Sequence, residues 1–247
     1  MASIVTYDRK PKLTSPAFIE CLPGIGNVGK LAGDFFAEAL KAKRFAVILS
    51  EHFPAQVIPD EDCVVSMASN ELWHANVNGR DIIFLRGECQ GSTSEGQFQL
   101  CREILDATMG YDLSEIITLG GYGTGLMVDD PRVLGAVSNK KFKSQFSKIG
   151  VEFSPGEPQA GIVGASGVLL GLGKMYGIPS ICLMGETSGY FLDHKSAMAV
   201  VRVLMKRFGV DIDLKDLMEK SEHIDALTAK VKEFEDSPQS EDLSYIR

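Results

Sequence analysis

The run Gly24-Ile-Gly-Asn-Val-Gly-Lys30 has the residue types and spacing that hold phosphate. It fits G-x-G-x-x-G and also opens G-x-x-x-x-G-K, in which glycines let backbone N–H groups approach an anion. The second pattern needs a hydroxyl after the lysine to ligate magnesium, and Leu31 has none. For the first, Glu51 follows at about the twenty-residue distance at which an acid meets a ribose hydroxyl. The same residues also have a structural reading. Gly24 and Gly26 permit unusual dihedrals in a strand-to-helix turn, Asn27 caps the helix, and Gly29 lets the helix lie close on the sheet. The structural reading is preferred, because a lone glycine fingerprint arises readily.

Glu186 is the acid best placed for chemistry, since it follows a buried strand, and open α/β sheets bind ligands at the carboxyl ends of parallel strands. With Thr187 and Ser188 it could orient a ligand or serve as a base; equally, the three could cap the next helix and brace the loop. Gly164-Ala-Ser-Gly167 and Gly91-Ser-Thr-Ser-Glu-Gly96 miss the spacing of a G-x-S-x-G nucleophile elbow. His52, His74, His194 and His223 form no H-x-x-x-H pair. Asp60-Glu61-Asp62 and Asp129-Asp130 are adjacent loop carboxylates expected to diverge into solvent. No complete catalytic constellation, metal site or cofactor is expected.

The elements that would position these residues alternate in period. Ala17 to Cys21 reads as a buried strand feeding a helix from Asn27 to Leu40, and Phe45 to Leu49 as a second strand. Short extended pieces follow around Val57, Asp62 to Met67 and Leu72 to Val77. Asn78-Gly79 then predicts a tight hairpin into Arg80 to Leu85. Beyond a Ser/Gly-rich loop come a helix over Gln97 to Met109 and strands at Glu115 to Leu119 and Val133 to Val137. Helices at Phe142 to Ile149 and Ser166 to Tyr176, a strand at Ile178 to Met184 and a helix at Lys195 to Phe208 complete the pattern. Mostly parallel strands with helices on both faces are implied. Leu217, Ile224, Leu227, Val231 and Phe234 form an apolar seam for the body or a partner helix. The expected organisation is one α/β/α domain over 1–235 and a flexible tail over 236–247.

The 247 residues suffice for one domain with a large core, and 45% apolar with 23% charged residues is globular composition. A net charge of −8 repels phosphate backbones and anionic lipid, so nucleic acid and membrane are not expected partners. Lys140, Lys141, Lys143 and Lys148 read as the solvated side of a helix whose Phe142 and Phe146 face inward. Five scattered cysteines without C-x-x-C fit a reducing cytoplasm, and neither a signal peptide nor a membrane span is recognisable.

Taken together, Pro23-Gly-Ile-Gly-Asn-Val-Gly29, Gly164-Ala-Ser-Gly-Val-Leu-Leu-Gly171 and Leu183-Met-Gly-Glu-Thr-Ser-Gly-Tyr190 resemble the archaeal PAC2 family of proteasome assembly chaperone homologues, over about Ala17 to Phe208. The resemblance implies a three-layer α/β/α sandwich with a mostly parallel central sheet, related to the nucleoside phosphorylase fold. It also implies a protein that binds proteasome α subunits or the α ring without catalysis and forms homo-oligomers. His194 stands where the family usually has proline. Related chaperones dock a hydrophobic-tyrosine-any-residue tail between α subunits, which points to Leu243, Tyr245, Ile246 and Arg247 as the gripping residues. Tyr245 is third from the end where that motif has it next to last. The competing reading is a small-molecule or nucleotide-binding enzyme using Gly24, Gly26, Asn27, Gly29, Glu186 and Thr187.

Overall fold

A computed structural model describes residues 3–158 and 161–222. The first strands are β1 (Ile4–Tyr7) and β2 (Ala17–Cys21), and a turn over Ile25–Asn27 leads into α1 (Val28–Ala39). Next come β3 (Lys43–Leu49), the small hairpin β4 (Val57–Pro59) and β5 (Val65–Met67), then β6 (Asn70–Val77), β7 (Arg80–Gly87) and α2 (Ser94–Thr108). The remainder is β8 (Glu115–Gly123), β9 (Val133–Val137), α3 (Lys140–Ser147), β10 (Val151–Glu152), α4 (Gly164–Met175), β11 (Ser180–Thr187) and α5 (His194–Phe208). The chain divides into two units, 1–212 and 213–247; in the second, residues 215–222 are helical.

Among the described residues of the first unit, one nine-stranded sheet runs β1-β3-β6-β7-β2-β8-β11-β9-β10. The expected parallel arrangement holds at its centre, where β7, β2, β8 and β11 are mutually parallel. Toward one edge β6, β3 and β1 pair antiparallel, and on the other side β9 runs antiparallel to β11. The reason is local: Asn78 and Gly79 both take positive φ, 51° and 76°, which closes a tight hairpin and forces β6 and β7 to run in opposite directions.

Every residue of β2 and β11 is buried, as strands covered on both faces must be. On one face Phe36 of α1 meets Phe84 of β7 and Phe208 of α5. On the other, Leu100 and Ile104 of α2 and Leu169 and Leu172 of α4 pack with Phe18, Ile83 and Ile116. Each such side chain contributes roughly 1.5–3 kcal/mol when fully buried. The lysine-rich segment behaves as its periodicity predicts, burying Phe142 and Phe146 edge to face under an exposed basic side.

Register creates a crevice at the end of the central strands. β8 pairs with β11 all the way from Ile116 to Gly123, but with β2 only as far as Thr118, opposite Glu20. From Leu119 onward the β2 side of β8 is open, at the carboxyl ends of the central strands.

Candidate functional site

The glycine turn is built for packing. Gly26 has φ 60°, and a Cβ there would lie 2.6 Å from Thr187 Oγ1. A Cβ on Gly29 would collide with the carbonyl oxygen of Leu119, so only glycine lets α1 sit this close to β8. Two expectations need correction. Gly24 is extended (φ −158°, ψ −157°), a conformation open to any residue. Asn27 holds the N-cap position in the left-handed region, φ 51°, but its side chain makes no capping bond.

Topology separates the partners that a dinucleotide site would need. β3, which precedes Glu51, pairs with β1 and β6 and is divided from β2 by β6 and β7. The Lys30 ammonium is held by Asp34 at 2.9 Å and Glu88 at 2.8 Å.

Glu186 lies at the end of β11 and is gripped by Arg132, just before β9. Arg132 donates from Nε to Oε1 at 3.0 Å, from a terminal guanidinium nitrogen to the same oxygen, and from its backbone N–H to Oε2 at 3.1 Å. These bonds hold the carboxyl below its ordinary range against the opposing effect of burial. A carboxylate so occupied fastens β9 to β11. The next helix is capped by Asp193, which accepts from the Ser196 N–H at 2.8 Å, instead of by Glu186, Thr187 or Ser188. The Thr187 hydroxyl is buried, accepts from the Gly189 N–H at 3.2 Å and abuts Gly26. Asp60, Glu61, Asp62, Asp129 and Asp130 are all exposed, as expected.

A second buried acid carries no motif in the sequence. Glu20 sits inside the apolar strand β2 and is fully buried. Its Oε1 accepts from the Leu22 N–H at 3.1 Å, and Oε2 from the Leu119 N–H at 3.3 Å; the Ser166 hydroxyl lies 2.9 Å from Oε2. Burial pushes the carboxyl up to about 7, with the hydrogen bonds from Ser166, Leu22 and Leu119 pulling the other way. A charged residue within a run of buried apolar ones was the available signal, and its partner Ser166 lies 146 residues away along the chain.

Above this pair the open side of β8 borders a cavity of about 500 Å³, whose walls include Leu22, Gln90, Gly120, Val163, Ser166 and Met184. Gln90 closes one side, donating to the Pro23 carbonyl at 2.6 Å and accepting from the Ala165 N–H at 2.8 Å. Among the described residues, no charged side chain lines it. Cys182 also borders it, with its thiol pushed up to about 12 by burial and so held protonated. Of the sequence-selected residues Gly24 lines this cavity; Gly26, Asn27, Gly29, Glu186 and Thr187 do not. The tail residues Leu243, Tyr245, Ile246 and Arg247 lie outside the described residues, as do His223 and the seam beyond Leu217. No group of three or more metal-ligating side chains occurs among the described residues.

Comparisons with known proteins add the family. The PAC2 family matches residues 18–232. The Methanocaldococcus jannaschii protein MJ1210 is 32% identical, the alignment covering all of this chain and 98% of that protein. The crystal structure of Pyrococcus furiosus PbaB, an archaeal proteasome activator, is 37% identical with a TM-score of 0.87, covering 94% of this chain and 99% of that one. That of Pyrococcus furiosus PbaA, an archaeal homolog of proteasome-assembly chaperone, is 25% identical with a TM-score of 0.77, covering 98% and 97%.

Proposed function

The chain belongs to the PAC2 family, and from that premise we propose that it is a proteasome assembly chaperone-like protein, which binds proteasome α subunits or the α ring and catalyses nothing itself. The observation that carries this reading is the 37% identity, over nearly the full length of both chains, to a protein described as a proteasome activator. The Arg132 grip on Glu186 supports it further, because it occupies the acid an enzyme reading would use.

In this proposal the body over 1–235 carries a tail over 236–247, and Leu243, Tyr245, Ile246 and Arg247 make the grip. An aromatic anchor with apolar neighbours on a tether suits a pocket between subunits. The protein works in the cytoplasm as a homo-oligomer, with neither nucleic acid nor membrane as partner. No helix among the described residues is long and apolar enough to cross a membrane, and the charge of −8 disfavours anionic surfaces.

The test is co-elution. Purified protein mixed with free α subunits or α rings should shift to larger size on gel filtration, and deletion of Leu243 to Arg247 should weaken the complex at least tenfold. Failure of the intact chain to associate would contradict the proposal. A multi-angle light-scattering mass equal to one chain would remove the oligomer from it.

A further inference from the structure

We propose that the cavity beside β8 binds a small, uncharged, largely apolar molecule carrying one N–H or O–H donor, which it directs at the Ser166 hydroxyl oxygen. A volume of about 500 Å³ lies within the range of roughly 300–1,000 Å³ typical of small-molecule sites. The place is the carboxyl end of the central parallel strands, where β2 stops pairing and β8 continues.

The walls select for neutral charge. Leu22, Val163 and Met184 supply apolar surface, and no lysine, arginine, aspartate or glutamate side chain stands among the described lining residues to pair with an ionised ligand. Burying an unpaired charge is far costlier than burying a neutral group. A phosphate or carboxylate therefore finds no counter-ion among the described lining residues.

The need for a donor follows from counting hydrogens. The Ser166 hydroxyl has one hydrogen, and two inward acceptors compete for it: the Leu119 carbonyl at 3.1 Å and Glu20 Oε2 at 2.9 Å. Whichever takes it, the hydrogen points into the protein. Toward the cavity Ser166 has only a lone pair to offer. Gln90 makes one bond at each end of its amide, to the Pro23 carbonyl and from the Ala165 N–H, and keeps a second N–H and a second lone pair. Ser166 thus presents an acceptor in a largely apolar wall that also carries Gln90, Tyr122 and Cys182, and a ligand donor satisfies it.

Indole and 1-methylindole form a matched pair of probes that differ by the donor, and indole-3-carboxylate adds a charge. Ligand-observed NMR titrations with thermal-shift measurements should show indole binding and raising the melting temperature. It should bind about fivefold tighter than 1-methylindole, the worth of one neutral hydrogen bond, with the carboxylate weaker than either. Ser166→Ala should erase the preference for indole while retaining 1-methylindole. Gly120→Val offers a block, because a Cβ there would point at Ser166 Oγ (3.8 Å) and Met184 (4.0 Å) without collision; it should abolish indole binding. The proposal is overturned by no indole binding up to its solubility, by equal affinities for the matched pair, or by indole retained in a folded Gly120→Val variant. If that variant does not fold, the Ser166→Ala comparison decides alone: an unchanged preference for indole overturns the proposal.

Discussion

Glu20 and Glu186 are buried carboxylates toward the carboxyl ends of two central strands, yet their surroundings drive them in opposite directions. Glu186 is met by a guanidinium and a backbone N–H of Arg132 and stays ionised, its range lowered. Glu20 is met only by neutral donors, and burial raises it to about 7. Strand position does not decide what an acid does; the presence of a counter-charge does. The paired acid becomes a fastener between β9 and β11, whereas the unpaired one becomes a group that titrates near neutrality beneath an uncharged cavity.

The largest expected effect tests the unpaired acid. With a folded value of about 7 against an ordinary 4.5, Glu20 binds its proton more tightly in the native state. Its contribution to stability is therefore complete below about pH 4.5 and is lost as pH rises through 7, a change of about 3 kcal/mol. Urea unfolding of wild type and Glu20→Gln across pH 4.5 to 8 should show the difference between them shifting in favour of the variant by that amount. A constant difference would place Glu20 among ordinary carboxylates.

Breaking the paired acid comes next. Arg132→Met should cost about 2 kcal/mol at pH 7, below the usual loss for a buried pair because the arginine side chain is 39% exposed. The variant should recover stability as pH falls and Glu186 protonates, and Arg132→Met with Glu186→Gln should restore most of it at pH 7. Equal denaturation midpoints for the single and double variants would dissociate Glu186 from the loss.

A smaller effect, about 1 kcal/mol, is expected for Ser166→Ala, which removes a hydrogen bond favouring ionised Glu20. The Glu20 value should move further upward, readable as a shift of the pH–stability curve. A downward shift would reverse the assigned role of the serine. Smallest is the turn. Asn27→Gly should change stability by no more than about 0.5 kcal/mol, whereas Asn27→Ala should cost about 1 kcal/mol, because the left-handed backbone is what the position requires. Equal losses in both would restore a capping role to the side chain.

The periodic parts of this fold were readable from the sequence. Ala17–Cys21 and Val133–Val137 match their predicted bounds, and α5 begins within a residue of its predicted start. β1 escaped because its four residues Ile4 to Tyr7, though strand formers, are too few to show a period, and its half-buried pairing at the sheet edge comes only from the fold. The end of β8 escaped because three of the four residues of Gly120-Gly-Tyr-Gly123 are glycine, which strands disfavour, although its pairing with β11 extends it. Within the glycine turn Gly26 and Gly29 were legible as packing and Gly24 and Asn27 were misread, while the carboxylates were not legible as a pair of opposites. Arg132 lies 54 residues from Glu186, and Ser166 lies 146 residues from Glu20. Only the sheet order and the packing of α4 against β8 bring such partners together, and no local spacing encodes them.

The claim that this protein grips another protein is tested most directly by biolayer interferometry against immobilised proteasome α rings. The intact chain should bind, a chain lacking Leu243 to Arg247 should lose at least tenfold in affinity, and Glu20→Gln should bind like wild type. An intact chain that does not bind, or a shortened chain that binds as well as the full one, would contradict it.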